Sequence, residues 1–362
     1  MNTSRLHPAL VGLAALLTAH AASAQSSMTL FGIVDASVSH YEAGPRSQTV
    51  LANSALNNTR LGFRGTEDLG GGMSANFWLE GALNVDDGNA SGFNFARRST
   101  VSLAGVWGEL RLGRDFTPTF WNDAVFDFFN ATGVGTSVIS QARSSSTSPG
   151  RMPFTADFGA NNPTYIRASN SVGYFLPPTL NGFYGQLQYA FDEQVSPGSN
   201  QGRYVAGRVG YLKGPVNLAV AVGRTTGADP ATAAAPDVST VNVGASYDFG
   251  PAKLAGQYSR EKYEKATASN TSTGYMLGVS VPLGVGSLNA AYSWVDIDLP
   301  GTPSADKIAL GYVHNLSKRT ALYATVAHLG NKNRSQLTVA NSLQGTANAS
   351  STGYDFGIRH IF

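Results

Sequence analysis

Cysteine is absent from the chain, so the fold cannot rest on disulfides. Charged residues are scarce at 13%, where a soluble domain carries about a quarter, and this deficit needs a cause. No apolar run reaches eighteen residues, which excludes helical membrane spans. The formal net charge of +2 offers no basic surface for nucleic acid. Histidine is rare too. Past the first two dozen residues there are His40, His314, His328 and His360; His314 falls in a short turn and His360 in the terminal segment, neither near a nucleophile motif. Gly-x-Ser-x-Gly, zinc-ligand clusters and phosphate loops are missing, so neither catalysis nor a metal or cofactor is expected. What is abundant is glycine, at 41 residues, and aromatics, at 10%. The lipid-facing wall of a β-barrel is one surface that excludes charge without forming a helical span.

The N-terminal residues are set apart from the fold. Arg5 and His7 precede a compact apolar run from Ala9 to Leu17, and Ala22-Ser23-Ala24 follows as a small-residue cleavage pattern. Residues 1–24 thus read as a secretory signal peptide cut before Gln25, leaving 25–362 as the exported domain. The apolar run is about ten residues, short of the roughly twenty a spanning helix needs. An uncleaved N-terminal anchor is the alternative.

The rest alternates with a period of two. Val241, Val243, Ala245, Tyr247 and Phe249 are interleaved with Asn242, Gly244, Ser246 and Asp248. The same pattern recurs at Phe183–Phe191, Tyr275–Val281 and Leu288–Trp294. Alternation puts one residue set on each face of a strand, but it does not say whether the apolar face meets a protein core or lipid. The connections separate these cases. Short turns fall at Glu67–Gly72, Gly105–Gly108, Pro177–Gly182, Leu212–Pro215, Asp248–Ala252, Pro282–Gly286 and His314–Thr320. Longer polar segments lie at 40–57, 85–95, 115–163, 192–201, 225–238, 262–273, 296–305 and 331–352. Short turns at one end and long loops at the other predict an all-β, sixteen-stranded antiparallel transmembrane barrel, wide enough for an aqueous channel. The final segment alternates through Tyr354, Phe356 and Ile358 to Phe362. It reads both as a strand closing the barrel and as a signal to outer-membrane assembly machinery.

Several stretches resemble the betaproteobacterial general porins: Thr29-Leu-Phe-Gly-Ile-Val-Asp35, Arg60-Leu-Gly-Phe-Arg-Gly65 with Glu67-Asp-Leu-Gly-Gly-Gly72, Gly244-Ala-Ser-Tyr-Asp-Phe-Gly250, Leu310 to Thr320 and Gly357 to Phe362. Through Asn94-Phe-Ala-Arg-Arg-Ser-Thr-Val-Ser-Leu103 the chain is most similar to the anion-selective members. The resemblance implies a homotrimer of sixteen-stranded barrels in the cell outer membrane, in contact with its lipid and lipopolysaccharide. It also implies a third long loop folded inward to narrow each pore.

That loop is rich in aromatics, with Phe120, Trp121, Phe126, Phe128 and Phe129, which suits packing against the inner wall better than exposure to water. In the family the acidic residues of the constriction sit here, which makes Asp123 and Asp127 the candidates; aspartates on an outward loop are the alternative. Arg60 alternates with Leu61 and Phe63 and so faces the lumen, with Arg64 on its face. Arg167 has the same standing, and in the family an arginine at each of these positions lines the constriction. Of the adjacent Arg97 and Arg98 only one can point inward on a regular strand. Parity against Val101 and Leu103 selects Arg98, unless a bulge hands the role to Arg97. Glu80 has lumen parity and is expected to pair with one of these arginines. An arginine facing lipid at the midplane would cost roughly 2–4 kcal/mol. Arginines that only buttress the wall through ion pairs are the other reading.

The expected function is a porin: passive diffusion of small hydrophilic solutes and ions, with permeant small anions preferred. A dedicated channel for small organic acids or phosphate is the alternative. A barrel enzyme lacks a nucleophile site here, and a soluble β-sandwich conflicts with the charge deficit.

Overall fold

The computed structural model describes residues 27–88, 93–143, 165–193, 201–227, 237–265, 268–340 and 342–362. The expected signal peptide and its cleavage point before Gln25 lie outside these residues, as does the far part of the third loop, 144–164.

The strands in chain order are β1 (Ser27–Ala43), β2 (Arg46–Asn53), β3 (Arg60–Gly70), β4 (Met73–Ala82), β5 (Arg98–Gly105), β6 (Gly108–Phe116), β7 (Arg167–Phe175), β8 (Phe183–Ala190) and β9 (Tyr204–Lys213). They continue as β10 (Val216–Thr225), β11 (Asp237–Asp248), β12 (Lys253–Lys265), β13 (Ala268–Leu283), β14 (Gly286–Ile297), β15 (Ser304–Asn315), β16 (Thr320–Lys332) and β17 (Ser351–Ile361). Every neighbouring pair is antiparallel, and β1 pairs with β17 from Ile33↔Ile361 to Ala43↔Ser351, so the sheet closes on itself.

These seventeen segments make sixteen staves, because β2 and β3 share one. The upper half of β1 pairs with β2 as far as Ala36↔Asn53, and its lower half pairs with β3 from Ile33↔Arg60. Between them residues 54–59 leave the ladder and turn inward. Asp35 holds that excursion, its carboxylate accepting from the backbone N–H of Leu56 at 3.0 Å and of Asn57 at 2.5 Å. The loop expected at 40–57 is thus a tight turn at Gly44-Pro45 followed by an interrupted stave. The loop expected at 262–273 is mostly strand, the β12–β13 ladder running out to Lys265↔Ala268. Arg260, Lys262 and Glu264 made this stretch look like loop, but beyond the bilayer both faces of a strand meet water and alternation is no longer required. All seven expected short turns join paired strands.

The burial pattern inverts that of a soluble protein. On β11, Val241 and Val243 are 42% and 46% exposed, while Asn242 between them is 0% exposed. The exposed outer set continues through Leu187, Val209, Leu277, Ile308 and Phe356. An unbroken apolar outside over a polar inside has one solvent that suits it, lipid. At the seam, Gly32 and Phe362 exchange two backbone hydrogen bonds of 3.1 Å. The Phe362 ring lies over Gly32, where a Cβ would come within 2.3 Å of it.

Candidate functional site

The third long loop lies inside the barrel, against the wall from β8 to β15. It opens with helix α1 (Pro118–Phe126), started by Pro118 and capped by Thr117, whose hydroxyl accepts from Phe120 N–H at 3.2 Å. A second short helix, α2 (Val138–Ala142), follows. The wall accommodates the loop with glycines. Added Cβ atoms would meet Phe126 at Gly244, Ile139 at Gly274, Phe128 at Gly278 and Phe129 at Gly311, none farther than 2.9 Å. The loop side chains therefore sit directly on the strand backbone.

Polar contacts fasten what the glycines admit. The Asp123 carboxylate accepts from Asn242 at 2.8 Å and Gln257 at 2.5 Å, and it pairs with Arg143. Arg143 also reaches Glu261, at 2.9 Å, and the Ser259 hydroxyl. Asp127 accepts from the backbone N–H of Phe129 at 2.9 Å and of Ser137 at 3.2 Å, which fixes the turn between the helices. Lys307 donates to the Thr136 carbonyl at 2.7 Å, and Asp355 accepts from Val134 N–H at 2.9 Å. At the loop tip, Thr132 donates to the Ser54 carbonyl at 2.6 Å, so the inward excursion of the second stave is a second anchor point.

The expectation that Asp123 and Asp127 face the passage is corrected by this geometry. They are only 3% and 5% exposed and are turned into the loop–wall contact. Burial pushes the Asp123 carboxyl up to about 6 even against the opposing pull of Arg143. Burial also raises Asp127, against the N–H groups it accepts from. Burial would lower Arg143, but the two carboxylates beside it hold it above its ordinary value. The face α1 turns away from the wall carries Trp121 and Val125, one turn apart and 42% and 41% exposed. The loop presents an apolar surface where an acidic one was expected. Helical spacing from Phe126 separates the two faces: Asn122, Asp123 and Phe126 share one, and Trp121 and Val125 the other.

Across the lumen the wall is basic. Glu80 is buried, paired with Arg97 at 2.7 Å and with Arg60 at 3.9 Å. Arg98 is the ladder partner of Glu80, while Arg97 donates its backbone N–H to the Glu80 carbonyl at 3.1 Å. Two consecutive residues thus oppose one, and both side chains turn inward; Arg97 precedes β5 and is free of its alternation. Arg98 lies 4.4 Å over the Trp78 ring and 3.5 Å from Asp115. Arg167 lies over Phe116 at 4.7 Å and donates to the Arg97 carbonyl at 2.7 Å.

Further arginines join this wall. Arg111 bridges Glu109 and Asp115 at 2.8 and 2.5 Å and lies 3.9 Å over Phe175. Where this wall meets the loop, on β9, Arg208 donates to Asn122 of the loop at 2.9 Å and covers Tyr184 at 4.7 Å. Arg111 was legible in the sequence, since Glu109 and Arg111 alternate with Leu110 and Leu112, and Arg208 alternates with Val209. Arg114 was not, because the register shifts between Gly113 and Asp115 and breaks its parity.

Openings lie along the lumen. One of about 690 Å³ is lined by Arg114, Arg167 and the loop tip. Another, about 520 Å³, lies between Trp121 and the arginines Arg60, Arg98, Arg111 and Arg208. A third, about 490 Å³, includes Arg64, Arg98 and Arg111. Among the described residues this side of the lumen carries eight guanidinium groups (Arg60, Arg64, Arg97, Arg98, Arg111, Arg114, Arg167, Arg208) and three carboxylates (Glu80, Glu109, Asp115).

Comparison with known proteins gives a consistent picture. A family model described as Gram-negative porin matches residues 9–334. Outer membrane porin protein 32 of Delftia acidovorans is 43% identical over 365 residues, covering 98% of this chain and 99% of that one. Among solved structures, an anion-selective porin from Comamonas acidovorans is 40% identical with a TM-score of 0.83, covering 93% of this chain and all of the other. OmpT, an outer membrane protein of Vibrio cholerae solved in a trimer form, shares the fold at 14% identity, TM-score 0.63, over 93% of this chain and 99% of its own.

Proposed function

The chain belongs to the Gram-negative porin family and is an outer-membrane β-barrel channel, and on that premise we propose that its pore prefers anions through an arginine-lined constriction. The observation that carries this is the asymmetry of the lumen: eight guanidinium groups face three carboxylates on one wall, while the loop opposite has turned its aspartates away. A narrow polar passage between low-dielectric walls concentrates the field of fixed charges. Screening at physiological salt acts over about 8 Å, so charges at the narrowest point outweigh those on distant loops. Guanidinium stays protonated at any relevant pH, and the fork it presents suits carboxylate and phosphate.

In this reading Arg60, Arg97, Arg98 and Arg167 supply the basic side. Glu80 sets their positions, holding Arg97 and Arg60 toward the passage. Asp123 and Asp127 act one step removed, by keeping the loop in place. The barrel works as a homotrimer, each copy with its own pore, surrounded by lipid and lipopolysaccharide. The resemblance and the trimer form of the Vibrio protein support that assembly. Export under a signal peptide at 1–24, cut before Gln25, belongs to the same reading.

Alanine substitution at Arg60, Arg98 and Arg167 in turn, with zero-current potentials recorded across a potassium chloride gradient, tests the assignment. Each change should move the potential toward the cation side. Three variants indistinguishable from the parent would place the selectivity elsewhere.

A further inference from the structure

Trp121 is unlike the other large side chains of the loop. Phe126 and Phe129 are buried on glycine seats of the wall, and Phe128 sits over Gly278. Trp121 instead stands 42% exposed beside Val125, in the opening of about 520 Å³ that the arginines line from the other side. Its ring meets one aromatic neighbour, Phe116, with centroids 5.4 Å apart, and the rest of the indole is left to the wet passage, where a polar side chain would be better solvated.

The arginines of this opening are held in a particular way. Arg98 lies over Trp78, Arg111 over Phe175 and Arg208 over Tyr184, at 4.4, 3.9 and 4.7 Å. A guanidinium group stacked on a ring has its face occupied and its edge left to donate. Arg60 and Arg98 meet protein carboxylates through Nε, at 3.9 and 3.5 Å. Among the described residues neither arginine hydrogen-bonds through its terminal nitrogens, whose spacing matches a carboxylate.

Edge donors on one side and an apolar plate on the other define a ligand class. We propose that the constriction is a binding site for monocarboxylates with a planar apolar body, aromatic carboxylates above all. The carboxylate lies on the Arg60–Arg98 edge and the ring packs on Trp121. This rests on the anion-preferring reading and adds a preference among anions that charge alone cannot supply, since chloride, acetate and benzoate carry the same charge. A planar ring also threads the gap edge-on, so the contact slows passage without closing the pore.

The test is block of chloride current through single channels by benzoate and, separately, by propionate. A ring contact of ordinary strength lowers the half-blocking concentration of benzoate about fivefold below that of propionate. Trp121→Ala should bring the two concentrations together, and Trp121→Phe, which keeps a ring, should retain most of the difference. Equal half-blocking concentrations in the parent, or a difference that survives Trp121→Ala, would overturn the site. The zero-current potential of the same channels in potassium chloride separates the two failures. A cation-side potential sinks the underlying anion preference, whereas an anion-side potential with equal block sinks only the aromatic site.

Discussion

The glycine seats make a graded prediction about the width of the pore. At Gly244 an added methyl would fall 2.0, 2.3 and 2.6 Å from three carbons of the Phe126 ring, which is 1% exposed and locked between strand and helix. Carbon atoms in contact settle at about 3.5–4.0 Å, so Gly244→Ala must drive the ring back by about 1.5 Å. Overpacking of this kind costs about 1–3 kcal/mol, less than the loop's other anchors hold, so the loop shifts without detaching. The shift carries α1 off β11 and pushes Trp121 and Val125 toward the arginines. Single-channel conductance should therefore fall. Gly274→Ala, 2.5 Å from Ile139, should have a smaller effect, and Gly278→Ala and Gly311→Ala, each 2.9 Å from a phenylalanine ring, the smallest. Gly256→Ala is the control, on the outer face with Leu277 at 3.3 Å. Planar-bilayer recording reads the conductance, and heat-modifiable migration on a denaturing gel confirms a folded barrel. Equal conductance in Gly244→Ala and Gly256→Ala would refute the claim that wall glycines set the position of the loop.

Two further predictions concern the anchors. Arg143→Ala leaves Asp123 and Glu261 buried without their cation, a loss of about 3–5 kcal/mol in such pairs; an added protease should cut within 117–143 far faster than in the parent, and an unchanged rate would count against the anchor. The seated loop holds the Asp123 proton up to about pH 6, whereas the detached loop loses it near the ordinary carboxylate value. A carboxyl raised in the seated loop strengthens seating as pH falls through 6 and weakens it above, so open-channel noise should drop between pH 7 and pH 5. Asp123→Asn should abolish that dependence, and noise that grows on acidification would contradict it.

The barrel was legible because its physics is periodic. Alternation such as Val241, Val243 and Tyr247 against Asn242 and Ser246 shows two faces, and the spacing of short turns counts the staves. The stave broken at 54–59 escaped because the interruption depends on Asp35, distant in sequence, accepting from Leu56 and Asn57. On the basic wall, parity puts Arg60 and Arg98 on the lumen face and applies equally to Arg111 and Arg208. It could not find Arg114 or settle Arg97, since both lie where the ladder departs from regular pairing. The aspartates were misplaced for a different reason. Acid in an infolded loop suggested a wet pore face, but the direction of a helix side chain depends on which face packs. The glycines at 244, 274, 278 and 311 held that information, each at a lumen-facing position, and in the sequence they registered only as composition.

The central claim is that fixed guanidinium charge in the constriction selects anions. The zero-current potential of the wild-type channel across a potassium chloride gradient tests it most directly, measured once in dilute salt and once near 1 M, where the screening length drops to about 3 Å. The potential should lie on the chloride side and shrink as salt rises. A potential on the potassium side, or a chloride-side value indifferent to salt, would contradict it.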